Sequence, residues 1–333
     1  MYRIGLIGSG YIGTVHAAAY QRIPNAELVA VADINEVAGK KIADEFTCKY
    51  YQQAEDMLLN EEIDVVDICL PTFLHERYVA LGAKYHKHVL CEKPFGLSYA
   101  SCQRMVKCCE DAGVTLMVAQ AARWTPEFVK ARQLLQDGVF GDLHMVSSRR
   151  LSQPPAWTTW HKDPNKSGGG LYDLQVHNID YLIGLFGQVE RVSAIGWKSE
   201  TGCWNHVVAT LYFKNGVTAV DEGSLQMPGT YPFSVALRIV GEKAAYDYQF
   251  AGGANIENCD TATNSVILYE QGQLPRNVEI DGKDLYEMEL VDYLAAISEN
   301  KPVPILPEES VYVMKVVEAI KESLETGKTI PVE

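Results

Sequence analysis

The first 120 residues alternate between short apolar runs and longer segments of mixed polarity. Residues 2 to 7 form an apolar run that predicts a strand, and helix-compatible spacing follows from Tyr11 to about Arg22. Further strand-length runs fall at 27–32, 65–70, 88–91 and 115–119, separated by helical stretches near 36–46, 74–85 and 98–112. Near-continuous apolar runs separated by helices are the signature of strands buried on both faces, so this part is predicted to be α/β with a doubly wound parallel sheet. The alternation ends near 120–125, which divides the chain into domains at 1–121 and 122–333. In the second, runs at 189–197, 204–213, 216–226 and 233–241 are rich in Val, Tyr, Phe and Thr and read as strands. Helical spacing returns at 285–299 and 308–326, with Gly327 as a C-cap. The last helix is free to pack back on the first domain.

The length of 333 residues suits two domains, and 47% hydrophobic residues give each a core and exclude disorder. No uncharged apolar run approaches the roughly 18 residues of a membrane span. The net charge of −14, from 43 acidic against 29 basic residues, disfavours nucleic acid, which calls for clustered Lys and Arg. No nucleic-acid or membrane partner is expected. The eight cysteines, Cys48, Cys69, Cys91, Cys102, Cys108, Cys109, Cys203 and Cys259, show no C-x-x-C spacing and read as core residues in a reducing compartment. No metal site is expected. Arg3 and Ala17-Ala18-Ala19 imitate a signal peptide, but Gly5, Gly8, Gly10 and Gly13 break its apolar core, so a cytoplasmic location is expected.

Gly8-Ser9-Gly10-Tyr11-Ile12-Gly13 is a G-x-G-x-x-G placed directly after the first strand and opening the first helix. Gly8 allows the tight turn, Gly10 the approach of a pyrophosphate, and Gly13 close packing of helix on strand. The helix start at Tyr11 and Ile12 presents free N–H groups and a partial positive charge to phosphates. Asp33 stands twenty residues after Gly13, placed to bind the adenosine ribose hydroxyls and repel a 2′-phosphate. Ile34 supplies no cation for such a phosphate, so NAD is favoured over NADP. A glycine-rich turn with an unrelated Asp fits the spacing and flanks less well. Ligands of such sheets lie at the carboxyl ends of the strands, which points to Pro71-Thr72-Phe73-Leu74-His75 and Glu92-Lys93-Pro94.

Far downstream, residues 167 to 180 place three glycines before a segment with helical spacing. Asp173 and His177 are four apart on one face of it. The pair is either a structural hydrogen bond or an imidazole general acid/base whose tautomer is set by a carboxylate.

The combination of Gly8-x-Gly10-x-x-Gly13, Glu92-Lys93-Pro94 and Asp173-x-x-x-His177 resembles the Gfo/Idh/MocA family of sugar and cyclitol oxidoreductases. The resemblance covers essentially the whole chain, including Trp160-His161-Lys162-Asp163-Pro164 before Ser167-Gly168-Gly169-Gly170. It implies a second α+β domain with a large, open, mostly antiparallel sheet carrying helices on one face. It implies hydride transfer between a secondary hydroxyl of a sugar, cyclitol or glycoside and the nicotinamide of NAD. Lys93 then meets the nicotinamide ribose and the reacting hydroxyl, His177 moves the hydroxyl proton, and Asp173 orients His177 or binds the sugar. Pro71, Thr72 and His75 line the cofactor with Glu92, and Gln120 lies near the nicotinamide. Arg123 contacts the substrate; Trp124 departs from the family's usual Arg-Phe or Arg-Tyr. Trp157 and Trp160 offer aromatic faces to a sugar, and Trp160 is taken as a substrate contact. His16, His86, His88, His144 and His206 have no partner at a telling spacing and read as structural or surface residues.

Two other activities share the scaffold, an NAD-dependent glycosidase and a glycoside 3-oxidoreductase. A non-catalytic NAD-sensing regulator is the reading from another class, disfavoured by retention of Lys93, Asp173 and His177. A sheet with one uncovered face implies a homodimer or homotetramer formed through it.

Overall fold

The computed structural model describes residues 1–155, 159–253 and 262–333; Trp157 and Cys259 lie outside them. Along the first 121 residues run β1 (Tyr2–Ile7), α1 (Tyr11–Tyr20), β2 (Ala26–Ala32), α2 (Glu36–Phe46), β3 (Lys49–Tyr51), α3 (Ala54–Asn60), β4 (Val65–Ile68), α4 (His75–Lys84), β5 (His88–Glu92), α5 (Tyr99–Ala112) and β6 (Leu116–Ala119). The strands form one parallel sheet in the order β3-β2-β1-β4-β5-β6. The order reverses between β1 and β4, paired from Ile4↔Val65 to Ile7↔Ile68, so the loops leaving them flank a switch point where such sheets bind ligands. Helix ends follow local chemistry. The Asn35 side chain accepts from Ala38 N–H at the start of α2, a Ser98–Ser101 capping box opens α5, and Gly113 ends it at φ 67°.

Along the rest of the chain run α6 (Pro126–Gln136), β7 (Leu143–Leu151), α7 (Pro164–Ser167), a π-helical turn (Leu171–Gln175), α8 (Val176–Phe186), β8 (Val189–Lys198), β9 (Trp204–Phe213), β10 (Thr218–Ser224), β11 (Phe233–Gly241), β12 (Ala244–Gly252) and β13 (Thr263–Glu270). Two-residue strands β14 (Arg276–Asn277) and β15 (Ile330–Pro331), with α9 (Leu285–Ser298) and α10 (Pro307–Thr326), complete it. The nine strands order as β14-β13-β12-β11-β7-β10-β9-β8-β15, antiparallel throughout except for the parallel β7/β10 pair. The parallel and mostly antiparallel sheets expected from the sequence are thus both present.

The chain divides into two compact units, Met1–Ala121 with Lys283–Met314, and Ala122–Gly282 with Lys315–Glu333. In the first, β1, β4 and β5 are almost wholly buried, and α9 lies on α1 through Arg22, whose guanidinium meets Glu287 at 2.5 Å and Asp284 at 3.0 Å. In the second, β9 alternates buried Val207, Ala209, Leu211 and Phe213 with half-exposed residues. Phe128 of α6 packs between Tyr181 of α8 and Tyr248 of β12, ring centroids 4.4 and 5.9 Å apart. Ile195, Trp197, Met145 and Tyr269 of this sheet are exposed.

Candidate functional site

The glycine loop is built by close approach. A Cβ on Gly8, at φ +107°, meets the Cys69 carbonyl at 2.4 Å, and one on Gly13 meets the Gly8 carbonyl at 2.1 Å. Gly10 is different: a Cβ there meets nothing within 4 Å. Helix α1 starts beside it without a side-chain cap. Open space over an uncapped helix N-terminus fits the pyrophosphate of a dinucleotide. The Asp33 carboxylate closes the loop's other side, accepting from Ser9 N–H at 2.6 Å and Asn35 N–H at 2.7 Å, while Ile34 next to it is 74% exposed.

After β4, Pro71 leads into a 3₁₀ turn, Thr72–Leu74, with Thr72 buried. His75 follows, fully buried, its Nε2 2.8 Å from the Leu70 carbonyl and Nδ1 3.0 Å from that of Pro94. Burial pulls its pKa down while the carbonyls facing its two nitrogens act against that, and the ring lies between the β4 and β5 loops. Glu92 ends β5, and its Oε2 accepts the Lys93 N–H at 3.0 Å. The Lys93–Pro94 peptide is cis, and Lys93 is half-exposed. Gln120, just past β6, is buried.

His16 is not the unpartnered residue expected from its spacing. It is fully buried, with Nδ1 2.8 Å from Asp67 Oδ2 and Nε2 3.2 Å from Glu92 Oε1. Its partners lie 51 and 76 residues away, beyond any local pattern, although an Asp inside the apolar run 65–70 was a signal that a buried charge needed a partner. His206 also has a partner, Glu222 across the strands at 3.0 Å.

In the second unit, Gly168 and Gly169 take φ 75° and 80° before the π-helical turn. From Gly169 to Ile183 every residue is buried except Asp173 and His177, which therefore share the one accessible line of this helical stretch. Gln175 and Asn178, on the opposite side, dock on the sheet. The Gln175 side chain lies where a Gly223 side chain would be, 2.7 Å from its ideal Cβ, and Asn178 donates to Asp221 at 2.8 Å. Ser148 also donates to Asp221, and burial pushes that carboxyl up to about 6. His161, unrecognised as a site residue in the sequence, places Nε2 3.6 Å from the Asp173 carboxylate and stacks on Trp160 with centroids 3.8 Å apart. Arg123 is buried, its guanidinium gripping Asp180 through two bonds of 2.7 and 2.8 Å.

A concavity of about 530 Å³ at the amino ends of β1 to β3 is lined by paired charges, among them Lys49–Glu61 at 2.7 Å and Arg3–Glu27 at 3.7 Å, and is remote from the glycine loop. Among the described residues no helix is long and apolar enough to cross a membrane.

The switch-point glycine loop, with the Asp33 carboxylate bonded to it from the end of β2, is the arrangement of a dinucleotide-binding Rossmann fold. Residues 2–120 match the family model described as an oxidoreductase family with an NAD-binding Rossmann fold, and residues 128–247 that of the GFO/IDH/MocA C-terminal domain. Inositol 2-dehydrogenase of Rhizobium meliloti is 32% identical over 257 residues, covering 73% of this chain and 74% of its own. Myo-inositol 2-dehydrogenase of Thermotoga maritima is 27% identical over 351 residues, 99% of this chain and 98% of its own. A solved levoglucosan dehydrogenase in complex with NADH superposes with a TM-score of 0.85 at 21% identity, over 100% of this chain and 99% of its own. The chain belongs to the Gfo/Idh/MocA oxidoreductase family.

Proposed function

We propose that the protein is an NAD-dependent dehydrogenase of a sugar or cyclitol secondary hydroxyl, with Lys93, His177 and Asp173 as its catalytic residues. The observation that carries this reading is the accessible pair Asp173 and His177 on an otherwise buried helical stretch, in a chain that also keeps Lys93 beside Glu92 at the end of β5. The inositol dehydrogenases among its relatives support a cyclic polyol as substrate.

When bound, the nicotinamide supplies the acceptor for the hydride leaving the carbinol carbon. The Lys93 ammonium stabilises alkoxide character as the hydroxyl loses its proton. His177 takes that proton in oxidation and returns it in reduction. Asp173 binds the sugar or orients His177, and its carboxylate also lies 3.6 Å from His161 Nε2. The Asp33 carboxylate beside an exposed Ile34 favours a ribose diol over a 2′-phosphate, which supports NAD over NADP. The exposed apolar residues of the second sheet support a homo-oligomer formed through that face.

The test is NADH formation by the purified protein with NAD and a panel of inositols, aldoses and glycosides. Stoichiometric NADH with a free polyol is expected. Aglycone release without net NADH would make it a glycosidase, and tight NAD binding with no turnover across the panel would make it a sensor.

A further inference from the structure

The first unit buries three carboxyl groups, Asp67, Glu92 and Glu289. His16 of α1 stands between Asp67 of β4 and Glu92 of β5, with Nδ1 hydrogen-bonded to Asp67 at 2.8 Å and Nε2 in an ion-pair contact with Glu92 at 3.2 Å that lacks hydrogen-bond alignment. Asp67 also accepts from the Tyr20 hydroxyl at 3.0 Å and lies 3.5 Å from the Cys69 thiol. From α9, Tyr286 sets its ring 5.9 Å from that of His16, and Glu289 and Tyr293 are completely buried.

A neutral imidazole has one donor and one lone pair, so it would satisfy one carboxylate and turn its lone pair on the other. Only the doubly protonated ring matches two carboxylates at once, and a buried carboxylate without a cation is costly. Burial works against the charged ring, but the Asp67 carboxylate hydrogen-bonded to Nδ1 offsets it, and the ring's pKa lies above the ordinary histidine value. Burial, and then the Glu92 charge, push the Glu289 carboxyl well above its ordinary value. Burial likewise holds the Cys69 thiol and the Tyr20 and Tyr293 hydroxyls protonated.

Glu92 spends its second oxygen on the backbone N–H of Lys93. We infer that His16, as an imidazolium clamped between Asp67 and Glu92, is a positioning residue that fixes the Glu92 carboxylate and through it the backbone of Lys93. The inference rests on Lys93 being the group that meets the reacting hydroxyl. A metal ion held by His16, Asp67 and Cys69 is the competing use of these side chains. The 2.8 Å between Nδ1 and Oδ2 is a hydrogen-bond separation, shorter than the about 3.3 Å between two donors around a tetrahedral zinc.

Three measurements test it. In ¹⁵N-histidine NMR of the whole protein, His16 is expected to show both ring nitrogens protonated at about pH 8, well above the ordinary histidine range. In His16→Gln, amide exchange at Lys93 is expected to quicken by about tenfold while β1 and β6 keep their protection, the change expected for one lost hydrogen bond of roughly 1 kcal/mol. With a turned-over polyol, kcat falls while the affinity for NADH stays the same. If His16→Gln does not fold, Glu92→Gln serves in its place, and there His16 is expected to lose its proton at lower pH than in the wild type.

A neutral His16 ring at pH 7, unchanged Lys93 exchange, or one equivalent of zinc in the purified protein would overturn the inference. The NMR and exchange results do not depend on finding a substrate. Failure of the dehydrogenase reading would therefore show in the substrate panel and leave these two measurements standing.

Discussion

The backbone N–H of Ser9, inside the glycine loop, donates to Asp33 Oδ2 across 2.6 Å. The carboxylate proposed to read the ribose therefore also braces the loop proposed to hold the pyrophosphate. Asp33→Ala is expected to weaken NAD by roughly 1.5–3 kcal/mol, the worth of charge-assisted hydrogen bonds, and to narrow the gap between NAD and NADP. Titration of both dinucleotides by fluorescence reads the change, and an unaltered ratio counts against the ribose contact.

Gly10 and Gly13 separate binding from stability. Around Gly10 there is room for a methyl group, so Gly10→Ala should melt like the wild type yet lose most dinucleotide affinity, because the methyl fills the phosphate's approach. At Gly13 the added carbon meets the Gly8 carbonyl at 2.1 Å, and the backbone must move. That variant should be destabilised by about 1–3 kcal/mol, measured by denaturant unfolding.

Lys93→Ala should lower kcat by roughly 10²–10³-fold, the effect of removing one group that stabilises developing oxyanion charge, while NAD affinity changes far less. Wild-type turnover in this variant would sink the assignment of Lys93. His177→Asn should lower kcat similarly and remove the lower-pH limb of the rate profile for oxidation, since the base must be neutral to accept a proton.

Asp221 gives a pH effect of definite sign. Its carboxyl titrates at about 6 in the folded protein, above the roughly 3.9 of an unfolded chain. The folded state thus favours the protonated form. That stabilisation is complete below about pH 4 and is lost as pH rises through about 6, on the order of 3 kcal/mol in all. Asp221→Asn cannot ionise, so its melting temperature should stay level over this window while that of the wild type falls.

How much was legible depended on whether an element could be recognised from its own residues. Strand Tyr2–Ile7 and helix Glu36–Phe46 end where their apolar pattern ends, and the predicted limits match. Strands β7 and β12 escaped notice because polar residues interrupt them: Arg149 and Arg150 in one, Asp247 and Gln249 in the other. They are strands because neighbours on both sides complete their hydrogen bonds, a property of the sheet. Helix α6, with Phe128 and Leu134 buried, falls in the stretch where alternation fails, and so was missed.

The same division runs through the site. Glycine spacing, Asp33 and Glu92-Lys93-Pro94 are local and could be read directly. His16 could not, because its carboxylates come from two other strands, and neither could the pairing of Asp173 with His161 from a separate turn. The spacing of Asp173 and His177 assumed an α-helix, whereas Leu171–Gln175 is wound as a π turn. Such turns recur at functional sites and carry no simple repeat in sequence.

The first unit takes Lys283–Met314 from near the far end of the chain. On a ribosome adding about 5–20 residues per second, the amino-terminal segment emerges first, yet it lacks α9 until synthesis is nearly over. His16 and its acids then wait without Tyr286, Glu289 and Tyr293 against them. A fragment ending at residue 121 would carry the entire glycine loop and still be an unfinished domain, so the nucleotide-binding unit, though first to emerge, cannot be complete until Met314 has been made.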